Sequence, residues 1–111
     1  MPEPRLTADL WVGAYLRRLR VVDIPAFVVA RGDATAGAVL VKLNTLDGQA
    51  AAFTRSFDMM SGARTWVMLT DGAEADVDAA IARQRVFDSD LWVIEVEDRA
   101  GRHLLDQPGL T

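Results

Sequence analysis

The chain has 111 residues, is 50% hydrophobic and 25% charged, and carries a net charge of −4 with no cysteine. Length and composition fit a single globular domain over residues 1–111 that builds its own core. They exclude a disulfide framework and any thiolate nucleophile or thiolate metal site, and the charge argues against nucleic acid or an anionic membrane surface as partner.

The opening "MPEPRLTADLW" lacks the basic start and apolar stretch of a secretory signal, and no window reaches about 18 apolar residues. The expected location is therefore the cytoplasm. Arginine supplies eleven of the twelve basic residues, and alanine is abundant. That bias reads as coding composition rather than chemistry.

A helix is expected over about 8 to 22. Thr7 is a candidate N-cap, and Val12, Tyr15, Leu16, Leu19 and Val22 recur at helical spacing. Pro25 marks the exit. Three short strand-like runs follow, at 26–31, 38–44 and 50–57, separated by "GDATAG" and "TLDG". Asp47-Gly48 is a hairpin signal, and antiparallel pairing of the three runs is the expectation. "RTWVMLT", 64 to 70, is a fourth strand rich in aromatic and branched residues.

After Thr70 the period changes. Asp71 and Glu74 have the spacing of a capping box, and Val77, Ala80, Ile81 and Gln84 share a face of a second helix, about 73 to 86. "LWVIEVED", 91 to 98, is a fifth strand, and the tail from about 100 is expected to be irregular. About fourteen helical residues rise ~21 Å, enough to carry the chain back along a strand of ~23 Å. The fourth and fifth strands should then run parallel if they share a sheet. The fold class is α+β: a mostly antiparallel five-stranded sheet with two helices on one face, in the order α-β-β-β-β-α-β.

Each functional motif has a plain structural reading beside it. Arg31-Gly32-Asp33 spells an adhesion tripeptide, but Gly and Asp are turn formers, and a turn is expected. Gly32 and Gly37 do not make a phosphate cradle, since no Gly-Lys-Ser/Thr follows and a strand stands where a helix would be needed. Arg17, Arg18 and Arg20 suit the negative end of the first helix. Asp88-Ser89-Asp90 resembles a small site for a hard cation but lacks a histidine and reads as a solvated turn. His103, the single histidine, has no nucleophile in a suitable context. No catalytic residue, metal site or cofactor is expected.

Strand alternation is the most informative feature. Val39, Val41 and Leu43 point one way, with Val67 and Leu69, and with Trp92, Ile94 and Val96. The opposite face would hold Leu40, Lys42, Arg64, Trp66 and Met68 among Glu95 and Glu97, a mixture that suggests a covered or associating surface. These five residues are the expected interface, contributed to a homo-oligomer or another protein partner. The alternative is a small ligand-binding module or enzyme using Arg83, Arg85, Asp88 and Asp90 at the exit of the second helix.

"AGAVLVKLNTLDG" and "FDSDLWVIEVEDRAGRHLLD" resemble a small alphaproteobacterial family catalogued only as a domain of unknown function. The features that carry the likeness are Gly37, Lys42, Leu43, Asn44, Asp47-Gly48, Asp90-Leu91-Trp92-Val93 and Glu95. The resemblance covers most of the chain and implies a cytoplasmic single domain, with no activity, cofactor or catalytic residue to carry over. The reading it leaves is a non-catalytic protein-interaction or self-associating module.

Overall fold

In the computed structural model, which describes residues 6–111, seven elements follow in order: α1 (Ala8–Val21), β1 (Ala26–Ala30), β2 (Val39–Asn44), β3 (Gln49–Phe57), β4 (Arg64–Ala73), α2 (Glu74–Phe87) and β5 (Trp92–Glu97). Residues 1–5, part of the segment read above for a secretory signal, lie outside the described residues. No helix among the described residues is long and apolar enough to cross a membrane. The fold is α+β, with one five-stranded sheet in the order β1-β5-β2-β3-β4. Among the described residues the β2–β5 pair is parallel and the other three pairs are antiparallel.

The β2–β3 hairpin forms where Asp47-Gly48 announces it. Gly48 takes φ 87, a left-handed value that glycine adopts without steric penalty, and the Asp47 carboxylate accepts from Thr45 Oγ1 and the Gln49 amide. β4 runs in the same direction as β5, as the length of α2 requires, but two strands separate them. β1 departs from expectation. It pairs with β5, which inserts between β1 and β2. The signal for hairpins is local, whereas this insertion is a long-range pairing that no turn residue encodes.

The helices also depart from expectation: they lie on opposite faces of the sheet. α1 buries Trp11, Val12, Tyr15 and Leu19 against Val39, Val41, Leu43, Trp92, Ile94 and Val96. α2 buries Val77 and Ile81 against Leu40, Ala50, Ala52 and Val93. β2 is therefore buried on both sides along its whole length, and its second phase carries Lys42 and Asn44 into the interior beside Leu40. The α2 capping box does not form. β4 continues to Ala73, the helix begins at Glu74, and the Glu74 side chain turns to Lys42 instead.

The 31–37 loop is a turn, as expected, but it joins strands that are not neighbours. It crosses the entry to β5, where the Asp33 amide donates to the Asp90 carbonyl and Trp92 Nε1 donates to the Asp33 carbonyl at 2.8 Å. The same loop closes the start of α1. The Thr35 and Ala34 carbonyls accept from the Ala8 and Asp9 amides, two of the donors a helix start leaves open.

The tail beyond β5 has no regular structure, yet Leu105 and Leu110 are almost fully buried in the α1 layer. Tyr15 Oη donates to the His103 carbonyl, Trp66 Nε1 to the Leu110 carbonyl and Arg18 Nη1 to the Pro108 carbonyl, each at 2.8 Å. His103 is not a surface residue. Its ring lies tilted against Phe53 with centroids 4.7 Å apart, and Nδ1 accepts from the Leu105 amide. Burial lowers its pKa below the ordinary 6.5, with Asp106 opposing in part. The unfolded chain then binds a proton more readily than the folded one. Stability is full above about pH 6.5 and falls as pH drops below it. Thermal unfolding followed from about pH 7.5 to about pH 5 should show this loss, and His103→Gln should flatten it.

Candidate functional site

The densest polar constellation is buried beneath α2. Lys42, on β2, points towards the helix and reaches Glu74 Oε2 at 2.7 Å, Asp78 Oδ1 at 2.8 Å and Glu95 Oε1 at 3.2 Å. The register of β2 with β5 sets Glu95 beside Lys42, and Glu74 and Asp78 are one helical turn apart on α2. Asn44 Nδ2 donates to Glu74 Oε2 at 3.0 Å. Burial alone pulls an ammonium towards neutrality, but the bonds to Asp78, Glu74 and Glu95 outweigh it and raise the Lys42 pKa. A lysine held charged in this way is neither nucleophile nor general base. It occupies the position a cation would take between the carboxylates. The cluster anchors the first turn of α2 to the sheet.

The four residues expected at the exit of α2 do not converge. Arg83, Arg85 and Asp90 are exposed, and the Asp88 carboxylate accepts from the Asp90 amide in a local turn at 3.0 Å. Asp88 alone of the four borders a cavity of about 560 Å³, shared with Gly37, Thr54, Ser56, Arg64, Leu69 and Gln84. That volume suits a small ligand, but the expected arginines do not line it. Among the described residues no group of three or more His, Asp or Glu could hold a metal ion.

The five expected interface residues do not form one surface. Leu40 is fully buried under α2, and Lys42 is 5% exposed in the cluster above. Trp66 belongs to the α1 side, its ring 5.4 Å from that of Trp11. The Arg55 guanidinium lies 4.6 Å from the Trp11 ring and 5.0 Å from the Trp66 ring, a sandwich of cation and aromatic faces. The tail covers this layer through Leu110. Met68 is half-exposed opposite Phe53, and Arg64 begins β4. The facial grouping fails because β3 and β4 shift register between Ala52 and Phe53. A one-residue slip moves side chains to the other face.

Among the described residues, the β1 edge of the sheet is open. β1 is Ala-Phe-Val-Val-Ala, paired on one side only, with Phe27 47% and Val29 51% exposed. Val21 and Val22 at the end of α1 are exposed nearby in sequence, and a recess of about 350 Å³ lined by Leu16, Arg20, Asp23, Ile24, Pro25 and Ala26 adjoins the strand's start. The opposite edge, β4, carries Arg64 and Asp71, and charged edges resist pairing with a further strand. β1 has no charged residue. The alternation of the sequence marks β1 as a strand but not as an edge, so this surface was not expected.

A family model described as protein of unknown function (DUF1491) matches residues 6–106. The chain belongs to the DUF1491 family. Its structure is similar to the crystal structure of a DUF1491 protein from Caulobacter crescentus CB15, with 40% identity over 93% of this chain and 95% of that one and a TM-score of 0.80. The solution structure of a DUF1491 protein from the same organism gives 40% identity, 96% and 97% coverage and a TM-score of 0.81. The solution structure of Atu0922 from A. tumefaciens is similar at 28% identity, 85% and 86% coverage and a TM-score of 0.73. Among curated proteins, none matches. The residues behind the resemblance have structural places in this DUF1491 chain. Lys42, Asn44 and Glu95 meet in the buried cluster, and where the loop crosses β5 Gly37 lies against the Asp33 and Asp90 backbone while Trp92 Nε1 donates to the Asp33 carbonyl.

Proposed function

We propose that the protein is a non-catalytic interaction module that associates with itself. The observation that carries this reading is the open, charge-free edge of β1 with Phe27 exposed upon it. An apolar strand with unpaired backbone groups is a template for a further strand. The polar constellations support no competing chemistry of their own: the Lys42 cluster is closed and charge-locked, and the α2 exit is dispersed. Association by strand addition uses main-chain hydrogen bonds for affinity and needs no cofactor.

Sedimentation equilibrium over a range of concentrations tests the reading. A reversible monomer–dimer equilibrium is expected. A chain that stays monomeric up to about 1 mM, the weak end of specific association, would remove it. The second reading is a small-ligand module at the 560 Å³ cavity beside Asp88. It predicts chemical-shift changes at Thr54, Ser56, Gln84 and Asp88 when a fragment mixture is added, and none on self-association.

A further inference from the structure

We infer that two copies of the chain pair antiparallel through β1, with Phe27 on the two-fold axis and each Asp23 facing Arg31 of the other copy. This rests on the self-association proposed above and names its geometry. The backbone sets which groups are free. The Pro25 carbonyl accepts from the Glu97 amide, so residue 25 faces β5, and Phe27, two residues on, faces it as well. Ala26 and Val28 then direct their N–H and C=O groups to the open side. Pro25, which has no amide proton, leaves no gap in that outward row.

Charge chooses the partner and the direction. The segment from Ile24 to Ala30 is uncharged, with Asp23 before it and Arg31 after it. Phe27 stands four residues after Asp23 and four before Arg31. A two-fold axis at Phe27 therefore brings the Asp23 end of each strand to the Arg31 end of the other, with the bulge before Ala30 displacing Arg31 by one residue from strict register. A parallel arrangement would set like against like. Both side chains are exposed and neither is in an ion pair among the described residues, although the Arg31 guanidinium rests 5.1 Å from the Trp92 ring and must leave it to reach the second copy. Such self-complementarity is what an isologous interface requires.

The same axis satisfies the ladder. Ala26 lies opposite Val28 of the second copy and Val28 opposite its Ala26, both as hydrogen-bonded pairs. The two Phe27 residues meet as a non-hydrogen-bonded pair, the closer of the two kinds at about 4.5 Å between Cα atoms. The bulge between Val28 and Ala30 ends the regular row there, which favours an axis at Phe27 over one further along the strand. The sheets of the two copies would join into one of ten strands. The recess beside Asp23 would receive the incoming arginine. Arg20 borders that recess too, which limits the gain from each ion pair.

Full-length chains carrying Asp23→Arg, Arg31→Asp, both together, or Phe27→Lys test this by sedimentation equilibrium at low salt. Each single charge reversal should weaken the dimer about tenfold, because two attractive contacts become repulsive. The double reversal should recover to within about twofold of wild type, since it restores opposite charges at both ends. Phe27→Lys, which places two ammonium groups on the axis, should leave only monomer. Asp23 sits at φ 60, a strained conformation for arginine, so unfolding curves accompany every variant, and Phe27→Lys provides a readout independent of that residue. A wild type that dimerises while the charge reversals and Phe27→Lys leave the constant unchanged would overturn this geometry and spare self-association. A monomeric wild type would overturn both.

Discussion

Lys42→Met should lower the stability of the fold by about 3 kcal/mol. Lys42 is almost fully buried and binds Glu74, Asp78 and Glu95 at once. Methionine fills similar space but leaves three carboxylates facing one another without a counter-charge. Glu74 and Asp78 are 37% and 54% exposed and can turn to water, whereas Glu95 at 14% cannot. The stranded charge at Glu95 therefore carries most of the loss, and the figure belongs at the lower end of the range for broken buried pairs. Urea unfolding of the single variant measures it. Adding Glu95→Gln to Lys42→Met should recover about half, because the amide can still bond Asn44 without a buried charge. A loss under about 1 kcal/mol in the single variant would show that the cluster is solvated and does not anchor α2.

Gly32→Ala should be destabilising by about 3 kcal/mol, although it adds one methyl group. A Cβ at Gly32 would stand 2.1 Å from the Asp90 carbonyl oxygen, 2.6 Å from Trp92 Cδ1 and 2.7 Å from the Trp92 amide nitrogen. Two of these atoms are backbone and cannot rotate away. The loop must lift from β5, which breaks the bond from Trp92 Nε1 to the Asp33 carbonyl and loosens the carbonyls that close α1. Gly13 is the internal control. A Cβ there meets nothing within 4 Å in the middle of α1, so Gly13→Ala should stabilise by roughly 0.5–1 kcal/mol. Denaturant midpoints of the two variants should therefore move in opposite directions. Equal behaviour would mean that the loop does not press on the entry to β5.

The candidate site was legible only in part. The residues of the buried cluster were visible as odd polar positions in apolar strands: Lys42 and Asn44 within "VLVKLN", and Glu95 within "WVIEVE". What gathers them is the parallel pairing of β2 with β5, which sets residues 53 positions apart side by side. The expected interface failed for a related reason. Period-two alternation gives the two faces of each strand separately, but not how one strand's faces match its neighbour's. The register shift between β3 and β4 put Trp66 under the tail instead of beside Leu40.

The sequence by itself determined the seven elements, their order and nearly all their limits, since period and turn chemistry act within a few residues. It did not determine that β2 would be hidden on both sides, because Lys42 and Asn44 in its second phase read as part of a mixed, associating face. Only the tertiary structure decided that β5 enters between β1 and β2, that the helices take opposite faces, and that β1 is left as the open edge. Those outcomes depend on the free energy of long-range pairing and on register. Each is a property of two distant segments together, and neither segment alone encodes it.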